Sequence, residues 1–257
     1  MGKYNSSVYR ARPLMEIIEK KENYDSFLKL LSLMNIPALG QPHTYQYDGE
    51  NCSEKQLKPS KRHLSSLIAY MAAKQHTADV KNEKRKALFF PAPENPNGRA
   101  EACMEALAAL ENVYDSLSPS DRHWFLFEGF THPDIFIEGE DYVIVCEGKW
   151  TEPNVTTKTT HLSADGESRN QMVRHIQGAL NYSDKKVYGF YIVDESCNYK
   201  NELTEDCFKK QLETETVRIP DSEKEKILDS FYGYTTWQEI EKQIKDVSFK
   251  RKEDIPS

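Results

Sequence analysis

The stretch His132-Pro133-Asp134-Ile135-Phe136-Ile137-Glu138-Gly139-Glu140-Asp141-Tyr142-Val143-Ile144-Val145-Cys146-Glu147-Gly148-Lys149-Trp150 reads as a β-hairpin with polar groups gathered at one end. Two apolar runs flank the turn residues Gly139-Glu140-Asp141, which predicts strands over Asp134 to Glu138 and Tyr142 to Lys149. Strand residues alternate faces, so Glu147 and Lys149 point the same way and Gly148 offers mainly backbone. A hairpin returns its second strand along the first, which sets Asp134 beside Glu147. At mid-length the pair is apolar on both faces, the pattern of a sheet covered by helices on both sides.

Working outward, Trp124 to Glu128 is expected to be a preceding strand, giving a three-stranded meander. A helix over about Ser168 to Asn181 and a strand over Lys186 to Asp194 follow, and an Ala- and Leu-rich helix, Arg99 to Ser116, precedes the meander and is expected to pack on the sheet. Further towards the amino terminus, Arg12 to Asn35 reads as one or two amphipathic helices and Gly40 to Pro59 as irregular. A helix begins after Ser60, a candidate N-cap. The Pro- and Gly-rich run Leu88 to Gly98 marks a boundary, Thr204 to Lys245 carries helical stripes (Ile227 with Phe231 among them), and Phe249 to Ser257 reads as a charged tail. The expected organisation is a helical region over 1–97, an α/β core with a mixed sheet over 98–220 and a helical region over 221–257.

The chain has 257 residues, 38% of them hydrophobic and 29% charged, the balance of a polar globular protein. Its apolar runs are far shorter than the roughly 20 residues of a bilayer span, so no membrane partner is expected. Five cysteines without a C-x-x-C pair indicate neither a disulfide framework nor a zinc ribbon, and a reducing, cytoplasmic setting is expected. The net charge is −7, yet Lys55 to Lys86 carries a local +7. Lys61, Arg62, Lys84, Arg85 and Lys86 in that segment are candidates for phosphate contacts, because counterion release depends on local charge; a solvated helix face explains them equally well.

Two carboxylates side by side at the end of an apolar sheet repel each other and lose solvation, an arrangement that a cation would hold. Hard oxygen donors suit Mg²⁺, with Mn²⁺ as a substitute. A lysine two residues on could orient a water or stabilise charge developing on phosphorus. The acid-x-Lys tripeptide is not distinctive alone: Glu19-Lys20-Lys21, Asp79-Val80-Lys81 and Asp184-Lys185-Lys186 also fit it. Only Glu147-Gly148-Lys149 ends an apolar strand after a Pro-Asp that opens the preceding one.

With Pro133-Asp134 and Glu147-x-Lys149 in a strand, hairpin, strand setting, followed by a helix bearing Gln171, Arg174 and His175 on one face, the chain resembles the PD-(D/E)XK nuclease superfamily over about Arg99 to Asp194. The resemblance implies a restriction-endonuclease-like α/β/α core and a Mg²⁺-dependent nuclease acting on DNA. Asp134 and Glu147 would then hold the ion with the Gly148 carbonyl, Lys149 would position the attacking water, and Gln171, with Arg174, would orient the site. Glu128, Glu101 and Glu105 are candidates for a further metal-side carboxylate, though an ordinary surface acid explains each as well. His132 and His175 are candidate auxiliary bases. The Thr-rich stretch Thr151 to Glu167 could cover nucleic acid or be an idle loop, and a homodimer would suit cutting of two strands.

A second reading keeps the scaffold as an inactive nucleic-acid-binding or assembly module. A third, a glycosidase using Asp134 and Glu147, leaves Lys149 unexplained. There is no P-loop, H-E-x-x-H or G-x-S-x-G motif to support nucleotide hydrolysis, zinc proteolysis or α/β-hydrolase chemistry.

Overall fold

The computed structural model describes residues 6–73, 98–118, 128–152, 156–157, 169–215 and 219–255, with side chains omitted for 71–73, 98–103, 156–157 and 252. In chain order the described elements are a π-helical turn Ser7–Ala11, α1 (Arg12–Ile18), α2 (Tyr24–Leu33), β1 (Thr44–Tyr47), α3 (Lys61–Ala73), α4 (Gly98–Val113), β2 (Ile135–Glu138) and β3 (Tyr142–Lys149). There follow β4 (Thr156–Thr157), β5 (Arg169–Asn170), α5 (Gln171–Tyr182), β6 (Lys186–Val193), α6 (Glu205–Glu213), α7 (Asp221–Leu228), β7 (Phe231–Thr236) and α8 (Trp237–Gln243). None of the described helices is long and apolar enough to cross a membrane.

The protein is an α/β structure built on a mixed five-stranded sheet of order β1-β2-β3-β6-β7. The β1, β2 and β3 strands run antiparallel in succession, whereas β6 lies parallel to β3 and β7 parallel to β6. The expected hairpin is found with Ile135 opposite Cys146. Its residues sort by parity: Ile135, Ile137, Ile144 and Cys146 face a layer with Leu14, Phe27 and Ile240 from α1, α2 and α8. On the other face Phe136, Val143 and Val145 pack against Met172, Val173 and Ile176 of α5, with Phe208 of α6 and Ile227 of α7 in the same cluster. Each such aliphatic side chain, fully withdrawn from water, contributes about 1.5–3 kcal/mol, which is why β3 is buried along its whole length.

Three expectations are corrected. The strand that pairs with the outer edge of β2 is β1, from the stretch expected to be irregular; of the expected strand Trp124 to Glu128, residues 124–127 lie outside the described ones and Glu128 is not in a strand. Thr44, Tyr45 and Tyr47 are β-formers, but only Tyr47 of β1 is buried, so this edge strand has no clean apolar alternation to reveal it. Phe231 belongs to β7 and not to a helical stripe. The β7 strand carries one extra residue relative to β6, with Gly233 at φ +74° inside the bulge, a conformation glycine adopts without strain. Finally, α4 packs against α3, with Ala106 and Leu110 buried, instead of on the sheet.

Ser60 caps α3 as expected, its hydroxyl accepting from the His63 amide at 3.1 Å. Strands from all three expected segments share the one sheet. The Leu88 to Gly98 boundary lies almost wholly outside the described residues, as does most of Thr151 to Glu167, of which Thr156–Thr157 pairs with Arg169–Asn170.

The β7 assignment has an energetic consequence. Phe231 stacks on Phe208 with ring centroids 3.9 Å apart and meets Tyr191 edge-on at 6.2 Å. Phe231→Ala is expected to cost about 3–5 kcal/mol in urea unfolding; a loss below about 1 kcal/mol would contradict this packing.

Candidate functional site

The antiparallel register that pairs Ile135 with Cys146 carries on to set Asp134 opposite Glu147 at the carboxyl end of β3. Both are almost fully buried, Asp134 at 8% and Glu147 at 5% exposure, and Lys149 is equally withdrawn at 6%. The Asp134 Oδ2 atom accepts from the Gly148 amide at 2.7 Å. Glycine is required there: a Cβ at 148 would lie 2.9 Å from Trp237 Cζ2 and 3.0 Å from Asp134 Oδ2. Trp237 in turn donates its indole N–H to the Lys149 carbonyl at 2.9 Å, closing the strand end from the far side.

The α5 helix aims its first turns at the same place. Its N-cap, Asn170, accepts from the Val173 amide at 3.1 Å and from the Tyr191 hydroxyl of β6 at 2.8 Å, so the start of the helix is tied to the sheet. Gln171 then bridges acid and lysine: its Nε2 donates to Glu147 Oε1 at 2.9 Å and its Oε1 accepts from Lys149 Nζ at 2.5 Å. Lys149 Nζ also donates to Glu147 Oε1 at 2.8 Å. One turn on, His175 Nε2 lies 2.8 Å from Glu147 Oε2, and its Nδ1 lies 2.7 Å from Thr131 Oγ1.

The two carboxyls therefore differ electrically. Burial pushes Glu147 up, but the Lys149 ammonium and the His175 hydrogen bond together outweigh it and bring its pKa down to about 2. Burial pushes Asp134 well up, and the Glu147 charge adds to the rise. Burial also lowers His175 despite Glu147. A neutral imidazole beside an ionised carboxylate donates through Nε2 and leaves Nδ1 to accept the Thr131 hydroxyl.

Two partners carried no sequence signal. Ser7 Oγ is hydrogen-bonded to Asp134 Oδ1 and lies 3.0 Å from Glu54 Oε1. The Glu54 pKa is raised, first by burial. The Ser7 hydroxyl is thus shared between the Asp134 and Glu54 carboxyls. Ser7 and Glu54 stand 127 and 80 positions from Asp134 in the chain, and no spacing rule links them.

Glu128 lies in a different cluster, between two guanidiniums and an imidazole. It meets Arg169 Nη1 at 2.6 Å and His63 Nε2 at 2.6 Å, and it also pairs with Arg174 Nε. Burial pushes its pKa up, but these charges outweigh burial and hold it well below the ordinary 4.5. Arg169, 2% exposed, also reaches Glu215 at 2.7 Å and Gln177 at 2.5 Å. The structure thus brings Asp134, Glu147, Gly148, Lys149, Gln171 and His175 together and places Glu128 and Arg174 in the adjoining network. Glu105 is exposed on α4 and His132 is exposed before β2. The side chain of Glu101 lies outside the described residues, as do Lys84, Arg85 and Lys86; Lys61 pairs with Glu111 at 2.6 Å, and Arg62 is exposed. Among the described residues no three or more His, Cys, Asp or Glu side chains gather closely enough to cage a metal ion.

Comparison of the chain with protein-family models, curated proteins and solved structures gives no match.

The Glu128 network sets an acid limit on stability. A carboxyl whose folded pKa is depressed contributes stability above its unfolded value, and that contribution falls as pH drops below about 4.5. Glu128→Gln is expected to lose about 3–5 kcal/mol at neutral pH and to show a shallower decline in acid than the unaltered protein. Equal acid slopes in urea titrations would contradict the assignment.

Proposed function

We propose that the protein is a Mg²⁺-dependent nuclease that hydrolyses phosphodiester bonds in DNA. The observation that carries this reading is the meeting of Asp134 and Glu147 at one buried strand end, with Lys149 and Gln171 within hydrogen-bonding distance of Glu147. Three antiparallel strands followed by a helix and a strand parallel to the third, here β1, β2, β3, α5 and β6 with α3 and α4 inserted between β1 and β2, support a restriction-endonuclease-like core.

The donor set fits the ion in a particular way. Mg²⁺ keeps several waters and is commonly bound by one or two carboxylates together with substrate phosphates, not by an all-protein cage. Asp134 and Glu147 are such a pair, and the pKa of Asp134, raised first by burial and then by the Glu147 charge, marks a carboxyl that a divalent cation would stabilise in its ionised form. When bound, the ion would supply Lewis acidity at the phosphoryl oxygen. Lys149 keeps its charge, since the neighbouring Glu147 charge outweighs the lowering by burial. An ammonium has three donors; two are claimed by Glu147 and Gln171, and the third is the one to hold the attacking water. Gln171 fixes both side chains, and Gly148 with Ser7 fixes Asp134. DNA as the substrate rests on the basic segment, of which Arg62 is exposed among the described residues. A cytoplasmic setting and a homodimer belong to the same proposal.

A second reading, an inactive nucleic-acid-binding or assembly module, draws on the way Glu147, Lys149 and Gln171 already satisfy one another and on the lack of a three-ligand cage among the described residues.

A nuclease assay on plasmid, linear and single-stranded DNA with Mg²⁺ or Mn²⁺ separates the two. Asp134→Ala, Glu147→Ala and Lys149→Ala are each expected to lower cleavage by at least about 100-fold without loss of cooperative unfolding. Activity retained in all three removes this site from the chemistry. Saturable Mn²⁺ binding in calorimetry, abolished by Glu147→Ala, supports the nuclease; no binding supports the inactive module.

A further inference from the structure

Arg10 is 6% exposed and sits in the π-helical turn three residues after Ser7. Its guanidinium lies 4.0 Å from the centroid of the Trp150 ring and 5.3 Å from that of Phe249. Among the described residues it makes one hydrogen bond, from Nη1 to the Lys250 carbonyl at 2.8 Å, and no ion pair; its buried Nε has no partner. Where this chain buries an arginine for structure, it surrounds it with acceptors: Arg169 has Glu128, Glu215 and Gln177. Arg10 has donors to spare and lacks such a shell. Burial pushes its pKa down, with Asp194 and Glu241 acting only as more distant charges.

This arginine lines a cavity of about 400 Å³ together with Arg251, Ser248, Gln238, Glu241 and Asp254. Trp237, which closes the Asp134 and Glu147 strand end, and Phe249 form its apolar wall. We infer that this cavity is a phosphate-binding subsite that takes a phosphodiester group of a nucleic-acid strand. A guanidinium fork offers several N–H groups to tetrahedral phosphate oxygens, and the exposed Arg251 and Ser248 add donors at the rim. Glu241 and Asp254 decide the source of the phosphate. Two carboxylates against two guanidiniums leave the lining near neutrality, which suits a singly charged diester better than a phosphate dianion that would need an excess of positive charge. Both rim acids are already engaged with backbone: Glu241 accepts from the Phe249 amide at 2.9 Å and Asp254 from the Arg251 amide at 2.9 Å.

The inference rests on the nucleic-acid part of the proposed function but not on cleavage, and binding measured in EDTA keeps the two apart. The full chain is titrated with a fluorescein-labelled oligothymidylate by anisotropy, with inorganic phosphate as competitor. Arg10→Gln is expected to weaken binding about tenfold, about 1.4 kcal/mol, and to lower the salt slope by about one. Arg251→Gln should weaken it about threefold and Glu241→Gln strengthen it about threefold, each about 0.7 kcal/mol. These two side chains are exposed, so they carry the test if Arg10→Gln fails to fold. Unchanged affinity in folded Arg10→Gln, or in both rim variants, overturns the subsite. Saturable inorganic phosphate binding without oligonucleotide binding overturns the diester assignment.

Discussion

The constraint on which the site depends is the placement of two acids in a nearly dry strand end. Removing an ionised carboxylate from water costs several kcal/mol unless charge and hydrogen bonds replace the solvent. The structure resolves this unequally. Glu147 receives an ammonium, an amide and an imidazole, and remains ionised. Asp134 receives a backbone amide and a shared hydroxyl and, among the described residues, no ion pair, and its proton affinity rises. The asymmetry follows from β3 and α5, which bring all the compensating groups to Glu147. Asp134 is left as the place where added positive charge gains most.

That distribution needs α5 to be held firmly, and two sets of contacts do so. At its start, Asn170 links the helix to Tyr191 of β6. On its other side, Arg169, Arg174 and Gln177 tie it to Glu128, Glu215 and Glu223, and through Glu128 to His63 of α3. The two networks share α5 but divide its residues, with Gln171 and His175 serving Glu147 and Arg174 and Gln177 turned to the Glu128 side. Glu128 thus acts at a distance from the acid pair, through the position of the helix.

The hairpin, the helix after it and the partnering of Asp134 with Glu147 were legible in the sequence because local rules govern them: alternation, a tight turn and one register. What was not legible depends on long-range choice. Which strand pairs with the outer edge of β2 is decided by where Thr44–Tyr47 arrives after an excursion of 87 residues, and nothing in that tetrapeptide outcompetes the apolar Trp124 to Glu128 run on sequence alone. Phe231 fits a four-residue helical spacing with Ile227, yet the bulge at Gly233 and the stack on Phe208 place it in a strand. Ser7 and Glu54 reach Asp134 by tertiary folding only, and single polar residues leave no periodic trace.

The glycine between the acid and the lysine shows why the terminal segments belong to the site. At position 148 a side chain would collide with both the Trp237 ring and the Asp134 carboxylate. The absent Cβ therefore lets an indole from the carboxy-terminal segment and an acid from the hairpin approach the same backbone. Trp237 then bonds the Lys149 carbonyl, which also accepts from the Asp194 amide at 3.0 Å, so the end of β3 is fixed from two directions. On the amino-terminal side, Ser7 touches Asp134 and Arg10 stacks on Trp150 within a single helical turn. The acid pair and the arginine-lined cavity are thus two faces of one junction, in which the turn Ser7–Ala11 and α8 close around the end of β3.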